Sequence, residues 1–374
     1  MIRIIADDKI PFLKGVFEPF AEVIYLPGKL ISRNDAMNAD ALLIRTRTCC
    51  DEKLLHDTPV QFIATATIGF DHIDTGYCEK NGIRWTNAPG CNASSVTQYI
   101  AAALLSIAQK DEFFLYEKTI GIVGVGNVGS KIERLARSFG MQILLNDPPR
   151  ERVEGHGRFV TLEKVLTESD ILSLHVPLTK EGPDRTFHLI NRETIGVMKP
   201  NAWLINTSRG EVVETVALKE VLLTGQLSGT VLDVWEREPL ADLELINASF
   251  LATPHIAGYS VEGKANGTAM IVRALARQFH LPLVEWYPKE LPEPRVPAIR
   301  INAQNKDRQQ IIKEAVLHTY PIRKDDEKFR DDPASFELHR ENYPVRREFP
   351  AFHVKLENDP GRVIELLQKL GFQF

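Results

Sequence analysis

The chain has 374 residues, with 45 Lys and Arg against 50 Asp and Glu, which gives a formal net charge of -5. At roughly 100–200 residues per domain, this length predicts two or three domains. The charge balance and the 44% hydrophobic content argue against a nucleic-acid partner, long disorder and collagen-like repeats.

No apolar run approaches the ~18–20 residues that a membrane span needs, so no membrane association is expected. Residues 1–8 reach paired acids too soon for a signal peptide and favour a first strand. Cys49, Cys50, Cys78 and Cys91 have spacings that fit neither a zinc site nor a disulfide framework. We therefore expect structural thiols, no metal and a reducing cytoplasm as the location.

Apolar strands alternate with loops and amphipathic stretches along the first part of the chain. Strands are predicted over residues 1–6, 23–25, 41–44 and 61–66. This alternation is typical of a parallel sheet covered on both faces. A long helix is predicted over 92–110, with Asn92 or Ser94 as the N-cap.

A second alternating series begins at Thr119. Its strands are predicted over residues 120–123, 142–146, 171–175, 202–206, 229–233 and 250–253. Six strands joined by helices make a complete doubly wound domain.

The composition of the sequence changes after Pro282. Residues 286–297 are dense in proline and predict an extended linker. Beyond the linker, a helix is expected over 305–320, a charged loop over 323–332 and a strand–helix pattern over 350–370.

A glycine loop follows the first strand of the second series. It reads Gly124-Val125-Gly126-Asn127-Val128-Gly129 and precedes a helix predicted over 130–139. In this context the first glycine permits a tight turn, the second lets a pyrophosphate approach, and the third allows close helix packing. The helix N-terminus adds free N–H groups and a positive dipole end. We therefore expect all the loop residues except Val125 to bind a dinucleotide.

Asp147 ends the next predicted strand, where an acid can accept hydrogen bonds from the adenosine ribose. The same carboxylate would repel a 2′-phosphate, so NAD is expected rather than NADP. Arg150 is close enough in sequence to weaken this preference slightly, although a solvated surface charge is its more ordinary interpretation.

Three ionisable residues, Arg209, Glu238 and His255, follow predicted strands of the second series. The carboxyl ends of parallel strands face the ligand crevice, so these side chains can converge. A guanidinium can hold a carboxylate through two hydrogen bonds, a histidine can take a hydroxyl proton, and a glutamate can orient that histidine. Alone, each has an ordinary interpretation as a surface ion pair, a structural histidine or a loop charge. Together, after a dinucleotide loop, they favour oxidation of a 2-hydroxy acid.

Residues 204–222, 229–239 and 253–258 resemble the signatures of the D-isomer-specific 2-hydroxyacid dehydrogenases. The resemblance implies a Rossmann NAD-binding domain, residues 96–257, inserted in a flavodoxin-like parallel α/β substrate domain, residues 1–95 and 258–285. It makes His255 the acid/base, Glu238 its partner and Arg209 the substrate clamp.

The resemblance also places residues on the cofactor side of the site. Asp233 would lie near the nicotinamide, and the other implied contacts are Asn206, Thr207, Ser208, Gly258 and His175. For His175, a loop position without ligand contact is the alternative.

Two departures from the general family indicate a subgroup: Gln98 stands where many members have Glu, and the stretch 110–118 is brief. Residues 44–48, 66–74 and 258–264 resemble a subgroup with a phosphorylated 2-hydroxy acid substrate. Arg45 and Arg47 would suit a phosphate dianion. The remaining candidates for substrate binding are the backbone of Thr67, Ile68 and Gly69 and the hydroxyl of Tyr259. Interdomain ion pairs are the alternative for the arginines, and hinge packing for Tyr259.

The tail, residues 286–374, resembles the C-terminal dimerisation domain of that subgroup and is expected to be a small α+β domain. Residues 352–357 alternate as a strand, and 358–363 open a helix, similar to the start of an amino-acid-binding regulatory module. The chain stops at Phe374, too early to complete one, which favours a homodimer interface over small-molecule sensing.

The sequence thus predicts NAD-dependent oxidation of a phosphorylated 2-hydroxy acid. A dehydrogenase for D-3-phosphoglycerate or another D-2-hydroxy acid is the nearest alternative. A non-catalytic NAD-sensing corepressor on the same fold is less favoured, because Arg209, Glu238 and His255 are all present.

Overall fold

The computed structural model describes residues 1–358 and 363–374. In chain order the strands are β1 (Ile2–Asp7), β2 (Ala21–Leu26), β3 (Ala41–Ile44), β4 (Phe62–Thr65), β5 (Arg84–Thr86), β6 (Thr119–Val123), β7 (Gln142–Asn146), β8 (Ile171–Leu174), β9 (Trp203–Asn206), β10 (Gly229–Leu232), β11 (Leu251–Ala252), β12 (Ala298–Asn302) and β13 (His353–Glu357). The α-helices are α1 (Arg33–Ala36), α2 (Glu52–Leu55), α3 (Thr75–Lys80), α4 (Ala93–Lys110), α5 (Gly129–Ser138), α6 (Pro148–Glu154), α7 (Leu162–Glu168), α8 (Arg192–Gly196), α9 (Thr215–Leu223), α10 (Leu243–Ala248), α11 (Val261–Gln278), α12 (Arg308–Thr319), α13 (Ile322–Asp331), α14 (Phe336–Glu341) and α15 (Ile364–Leu370).

The chain forms two compact units. The first combines Met1–Asn92 with Ser260–Pro292, and the second combines Ala93–Tyr259 with Glu293–Phe374. Each unit has a parallel sheet with helices, and the second also carries a small two-stranded sheet, which confirms the predicted fold class. The predicted division into three domains stays a prediction.

The first unit is built on a five-stranded parallel sheet in the order β2-β1-β3-β4-β5, which is the flavodoxin-like order. Successive side chains of a strand point to opposite faces. Leu43 accordingly packs in the cluster that contains Ile271 of α11, whereas Leu42 packs with Leu54 of α2. Strand β5 was not predicted, because it has three residues and none of them is buried.

The second unit contains a six-stranded parallel sheet in the order β11-β10-β9-β8-β6-β7. One face packs Ile122 and Ile205 against α4 and α5, and the other packs Leu204 with Leu218 of α9. The strand order reverses at β6, so the carboxyl ends of β6 and β8 flank the switch point where doubly wound folds bind ligands. The predicted doubly wound domain is confirmed.

The charged loop expected over 323–332 is wrong, because residues 322–331 form helix α13. Ile322, Asp326 and Phe329 recur at helical spacing and are buried, while Arg323, Lys324, Glu327 and Lys328 are exposed. Asp326 accepts a hydrogen bond from the Ala252 N–H at 2.7 Å, and Arg330 donates to the Ser249 carbonyl at 2.8 Å. Helix α13 therefore covers β11, the edge strand of the six-stranded sheet, whose free backbone groups would otherwise invite pairing.

The rest of the C-terminal segment also packs within the second unit. Strands β12 and β13 pair in parallel, α12 contacts α4, and α15 contacts α5. Strand β13 and helix α15 confirm the strand–helix pattern expected over 350–370. The helix start expected over 358–363 lies mostly at 359–362, outside the described residues.

Within the described residues, no helix is both long and apolar enough to cross a membrane. In the same part of the chain, no cluster of His, Cys, Asp and Glu side chains is placed to hold a metal ion.

Candidate active site

The loop after β6 has the geometry of a pyrophosphate-binding turn. Gly124 has a φ of +84°, and a Cβ there would lie 2.6 Å from the His175 carbonyl oxygen. A Cβ on Gly129 would overlap the Gly124 carbonyl, so α5 begins in direct contact with the loop. A Cβ on Gly126, by contrast, would meet no described atom within 4 Å. Gly124 and Gly129 thus serve packing, and Gly126 leaves open space before the N-terminus of α5.

Residues of the glycine loop and of the loop after β9 fit NAD. Asn127 is exposed and Val128 is half-buried, directly before α5. Thr207 Oγ1 is buried and has no hydrogen-bond partner among the described residues. A buried hydroxyl without a partner is costly, and a bound ligand would relieve that cost. Thr207 is one of the residues predicted to line the cofactor.

Asp147 lies at the end of β7 and joins the glycine loop to α6. Its Oδ2 accepts from the Val125 N–H at 2.8 Å, and its Oδ1 accepts from the Arg150 N–H at 3.0 Å as the N-cap of α6. The Arg150 guanidinium is paired with Glu154 at 2.6 and 2.9 Å. The positive charge of Arg150, which would weaken the preference for NAD over NADP, is therefore largely neutralised by Glu154.

His175 follows β8, beside Gly124. Its Nε2 lies 2.8 Å from Ser173 Oγ. Burial lowers the pKa of His175 to about 3, so the ring is neutral at physiological pH. A neutral ring at this position is a hydrogen-bonding group rather than a charge.

The loop after β9 is held by its own side chains. Asn206 is buried, donates to the Arg209 carbonyl at 2.9 Å, and accepts from the N–H and Oγ of Ser208 at 3.0 and 2.8 Å. A Cβ on Gly210 would overlap the backbone of Trp235. This close approach puts the half-buried Arg209 on a loop that touches the loop carrying Glu238.

His255 and Glu238 form a direct pair. His255 Nδ1 lies 2.7 Å from Glu238 Oε2, and Glu238 Oε1 accepts from the Trp235 N–H at 3.0 Å. Both side chains are partly exposed, at 30% and 24%. His255 has a φ of +56°, a left-handed conformation that is uncommon outside glycine and that clusters at functional sites. The sequence correctly predicted that these two side chains meet.

Asp233 supports the turn that carries His255 from beneath. Its carboxylate is buried and accepts from the Ile256 and Ala257 N–H groups at 2.8 Å each, and from Thr253 Oγ1 at 2.7 Å. Its carbonyl accepts from the His255 N–H at 2.6 Å. These bonds fix the left-handed turn, and the predicted contact of Asp233 with the nicotinamide stays a prediction.

The electrostatics of the site favour a charged Glu238. Burial tends to raise the pKa of Glu238, but His255, the Trp235 N–H and Arg340 outweigh it and hold the pKa below its ordinary value. Burial raises the pKa of Asp233 to about 6, against the opposing effect of His255. At neutral pH both carboxylates are therefore predominantly ionised beside the imidazole.

Gly258 and Tyr259 follow the turn that carries His255. The Tyr259 N–H donates to the Ile256 carbonyl at 2.9 Å, so Gly258 lies inside a closed turn. The Tyr259 ring packs edge-on against Tyr343, with 5.8 Å between centroids. The predicted roles of Gly258 with the cofactor and of Tyr259 with the substrate stay predictions.

The predicted substrate residues of the first unit lie on loops that follow strands β3 and β4. Arg45 Nη1 donates to the Lys9 carbonyl at 3.3 Å. Thr67 Oγ1 donates to the Gly69 carbonyl at 2.9 Å, and the Ile68 carbonyl accepts from Asn87, which holds the second loop in shape.

Arg47 lines an open cavity of about 350 Å³ within the first unit. Three further cations line the same cavity, namely Lys29, Arg33 and Lys53, against the single acid Asp51. The cavity therefore has the charge expected of an anion-binding surface.

Sequence reasoning missed the residues that support the site from a distance. Tyr99 of α4 is fully buried, and its hydroxyl lies 2.7 Å from Thr253 Oγ1, which in turn donates to Asp233. The guanidinium of Arg340 in α14 lies 5.6 Å from the Tyr259 ring centroid. Tyr99 carried one available signal, a polar group inside a predicted apolar helix. Arg340 carried no such signal, because many charged residues surround it in the sequence.

The comparisons with known proteins define the class first. Residues 104–257 match the family model described as the D-isomer specific 2-hydroxyacid dehydrogenase NAD binding domain. Residues 290–371 match a model described only as a domain of unknown function. A solved structure, the D-lactate dehydrogenase of Aquifex aeolicus complexed with NAD and lactic acid, is 28% identical with a TM-score of 0.62 and covers 74% of this chain and 95% of that chain. The protein is thus an NAD-dependent dehydrogenase of the 2-hydroxyacid class.

Curated relatives narrow the class further. The erythronate-4-phosphate dehydrogenase of Bacteroides fragilis is 48% identical over 94% of this chain and 99% of its own. The enzyme of the same name from Pseudomonas entomophila is 40% identical over 98% of both chains. The chain belongs to the erythronate-4-phosphate dehydrogenase family, which is also the subgroup that residues 44–48, 66–74 and 258–264 resemble.

Proposed function

We propose that this chain oxidises 4-phospho-D-erythronate to 3-hydroxy-2-oxo-4-phosphooxybutanoate with NAD, a step in pyridoxal 5′-phosphate synthesis. The observation that carries the proposal is the 2.7 Å pair of His255 and Glu238 in the NAD-binding unit of a member of this family.

The chemistry follows from the properties of the side chains. Glu238 accepts a hydrogen bond at Nδ1 of His255, which leaves Nε2 to take the C2 hydroxyl proton. The carbonyl forms as the C2–H bond breaks and its electron pair leaves as hydride, for which bound NAD supplies the acceptor. Glu238 stabilises the imidazolium that results. Arg209 holds the substrate carboxylate through charge-assisted hydrogen bonds.

Arg45 and Arg47 hold the distal phosphate in this proposal. Support for Arg47 comes from the cationic cavity of the first unit, because four cations around one cavity suit a dianion better than a neutral hydroxyl group. Arg45 is not one of the residues that line this cavity, and it is included because it lies two residues before Arg47 on the same loop. Thr67, Ile68, Gly69 and Tyr259 complete the substrate contacts.

The chain further acts as a cytoplasmic homodimer in this proposal. The C-terminal segment, residues 286–374, supplies the dimer surface, and the match of residues 290–371 to a separate family model supports a distinct role for this segment.

The experiment compares kcat/KM for 4-phosphoerythronate, D-3-phosphoglycerate, erythronate and glyoxylate-type substrates by the absorbance of reduced nicotinamide. We expect 4-phosphoerythronate to be preferred over erythronate by at least ~10², because erythronate lacks the phosphate that would accept charge-assisted hydrogen bonds from the arginines. Faster turnover of an unphosphorylated acid would refute the substrate. Arg47→Met is expected to raise KM for the phosphorylated substrate while leaving NAD affinity unchanged.

A further inference from the structure

The turn that follows His255 has a central peptide whose direction the turn alone does not fix. The Tyr259 N–H donates to the Ile256 carbonyl at 2.9 Å, so Ala257 and Gly258 are the two central residues of a β-turn. Gly258 is not among the glycines with a positive φ, which agrees with a type I turn. Rotation of the peptide between Ala257 and Gly258 would give a type II turn, which requires a positive φ at Gly258. Glycine adopts a positive φ at little cost, so the turn itself permits both directions.

Two buried donors hold the carbonyl of that peptide in one direction. Arg346 of the C-terminal segment donates to the Ala257 carbonyl at 2.5 Å, and Ser95 Oγ of α4 donates to the same oxygen at 3.0 Å. The guanidinium also contacts Ser95 Oγ and lies 4.4 Å from the centroid of the Tyr320 ring. Arg346 and Ser95 are only 4% and 0% exposed, so bulk water does not compete for the carbonyl. A flipped peptide would lose both hydrogen bonds.

The other half of the same peptide is the Gly258 N–H. The peptide is trans, and in a trans peptide the N–H points away from the carbonyl. The donors that hold the Ala257 carbonyl therefore also set the direction of the Gly258 N–H. Gly258 is a predicted cofactor contact, and Asp233, which is predicted to lie near the nicotinamide, accepts from the neighbouring Ala257 N–H at 2.8 Å. The nicotinamide half of NAD is thus the part whose binding a flipped peptide would weaken.

We propose that Arg346 is a positioning residue for the cofactor, whose hydrogen bond to the Ala257 carbonyl keeps the Gly258 N–H directed at the nicotinamide half of NAD. A segment that matches only a domain of unknown function thereby builds part of the cofactor site of its own chain. Without this hydrogen bond, fewer molecules hold the peptide in the binding direction, and the apparent affinity falls with that fraction. The inference rests on the proposed function through the predicted contact of Gly258 with NAD.

Titration calorimetry with NAD and with ADP-ribose, which lacks the nicotinamide, tests this proposal. Arg346→Met removes the donor and leaves an apolar side chain in the buried space. Charge-assisted hydrogen bonds are stronger than neutral ones, so Arg346→Met is expected to raise the Kd for NAD at least about tenfold. The Kd for ADP-ribose is expected to stay at the wild-type value. Arg346→Lys keeps a cationic donor and is expected to recover most of the affinity for NAD, and Ser95→Ala, which removes only the neutral donor, is expected to raise the Kd for NAD about threefold.

Arg323→Met is the matched control. Arg323 is also an arginine of the C-terminal segment that donates to a backbone carbonyl, that of Phe250 at 3.3 Å, and it lies 4.0 Å from the centroid of the Phe250 ring. It holds the residue before β11 rather than the turn after His255, so both dissociation constants are expected to stay at their wild-type values. An unchanged Kd for NAD in Arg346→Met, an equal loss of affinity for both ligands, or a selective loss in Arg323→Met overturns the proposal.

Folding of each variant is checked by circular dichroism. Arg346→Gln replaces the Met variant if the latter does not fold. If neither variant folds, Ser95→Ala decides, and an unchanged ratio of its two dissociation constants overturns the proposal.

The measurement contains no substrate, so it is separate from the test of the proposed function. A selective loss of NAD affinity in Arg346→Met, with a wild-type protein that does not oxidise 4-phosphoerythronate, would refute the proposed function alone. An active wild-type enzyme together with an unchanged NAD affinity in Arg346→Met would refute only the role of Arg346.

Discussion

Replacing Glu238 by Gln probes the pair that orients the catalytic imidazole. Glu238 accepts two hydrogen bonds, at 2.7 Å from His255 Nδ1 and at 3.0 Å from the Trp235 N–H. A glutamine amide offers one oxygen and one NH₂ group. Because the Trp235 N–H can only donate, the amide oxygen must face it, and the NH₂ group then faces His255 Nδ1. The imidazole must place its proton on Nε2, which is the wrong tautomer for a base.

The size of the effect follows from two losses. Restoring the productive tautomer would turn the amide and leave the Trp235 N–H against another donor, which costs about 1–3 kcal/mol. Losing the carboxylate beside the imidazolium costs roughly a further 2 kcal/mol, since a nearby opposite charge shifts a pKa by one unit or more. Together these losses correspond to a decrease in kcat of roughly 10²–10⁴.

The assay is the initial rate of nicotinamide reduction at saturating NAD and 4-phosphoerythronate. Glu236→Gln is the matched control, because Glu236 forms a similar pair with His188 at 2.7 Å and also accepts from a backbone N–H, at Thr215. We expect the control to keep the wild-type kcat. Equal rates for Glu238→Gln and the wild type, with both proteins folded, would refute the reasoning.

Four further predictions concern the cofactor loop and its surroundings. Gly126→Val is expected to fold like the wild type but to bind NAD at least tenfold more weakly, as measured by titration calorimetry. Gly129→Ala is expected to lower the free energy of unfolding in urea by about 1–3 kcal/mol, because its Cβ would overlap the Gly124 carbonyl. A Gly129→Ala variant as stable as the wild type would contradict this packing. Asp147→Asn keeps an N-cap and removes the repulsion of a 2′-phosphate, so the ratio of kcat/KM for NAD over NADP is expected to fall at least tenfold, and an unchanged ratio would argue against the ribose contact. Burial lowers the pKa of His175 to about 3, against an ordinary value of 6.5, so the unfolded chain binds more protons between these two values and stability falls as the pH drops below 6.5. At pH 5 the loss in the free energy of unfolding is about 2 kcal/mol. His175→Gln is therefore expected to reduce the difference in the free energy of unfolding between pH 7 and pH 5 by that amount. The same pH dependence in the variant and the wild type would contradict this prediction.

The parts of the fold and site that could be predicted are those whose signals are local. The glycine loop could be predicted because a strand pattern precedes it and a helix pattern follows it. Glu238 and His255 could be placed together because each follows a strand of one parallel sheet, and such strand ends share an edge.

The parts that could not be predicted depend on long-range contacts. Helix α13 looked like a loop because its charged residues hide a stripe of three inward side chains, among them Asp326, whose partner Ala252 is 74 residues away. Arg340 is likewise distinguished from other arginines only by the ring of Tyr259 that it meets in the fold. Tertiary contacts of this kind override local composition.

The most direct test of the account is the activity of His255→Asn with 4-phosphoerythronate and NAD, together with its NAD affinity. We expect kcat to fall by at least ~10² with NAD affinity unchanged, because general base catalysis contributes that much and the imidazole acts on the substrate proton rather than on the cofactor. A variant that turns over at the wild-type rate would contradict the assignment of His255 as the acid/base.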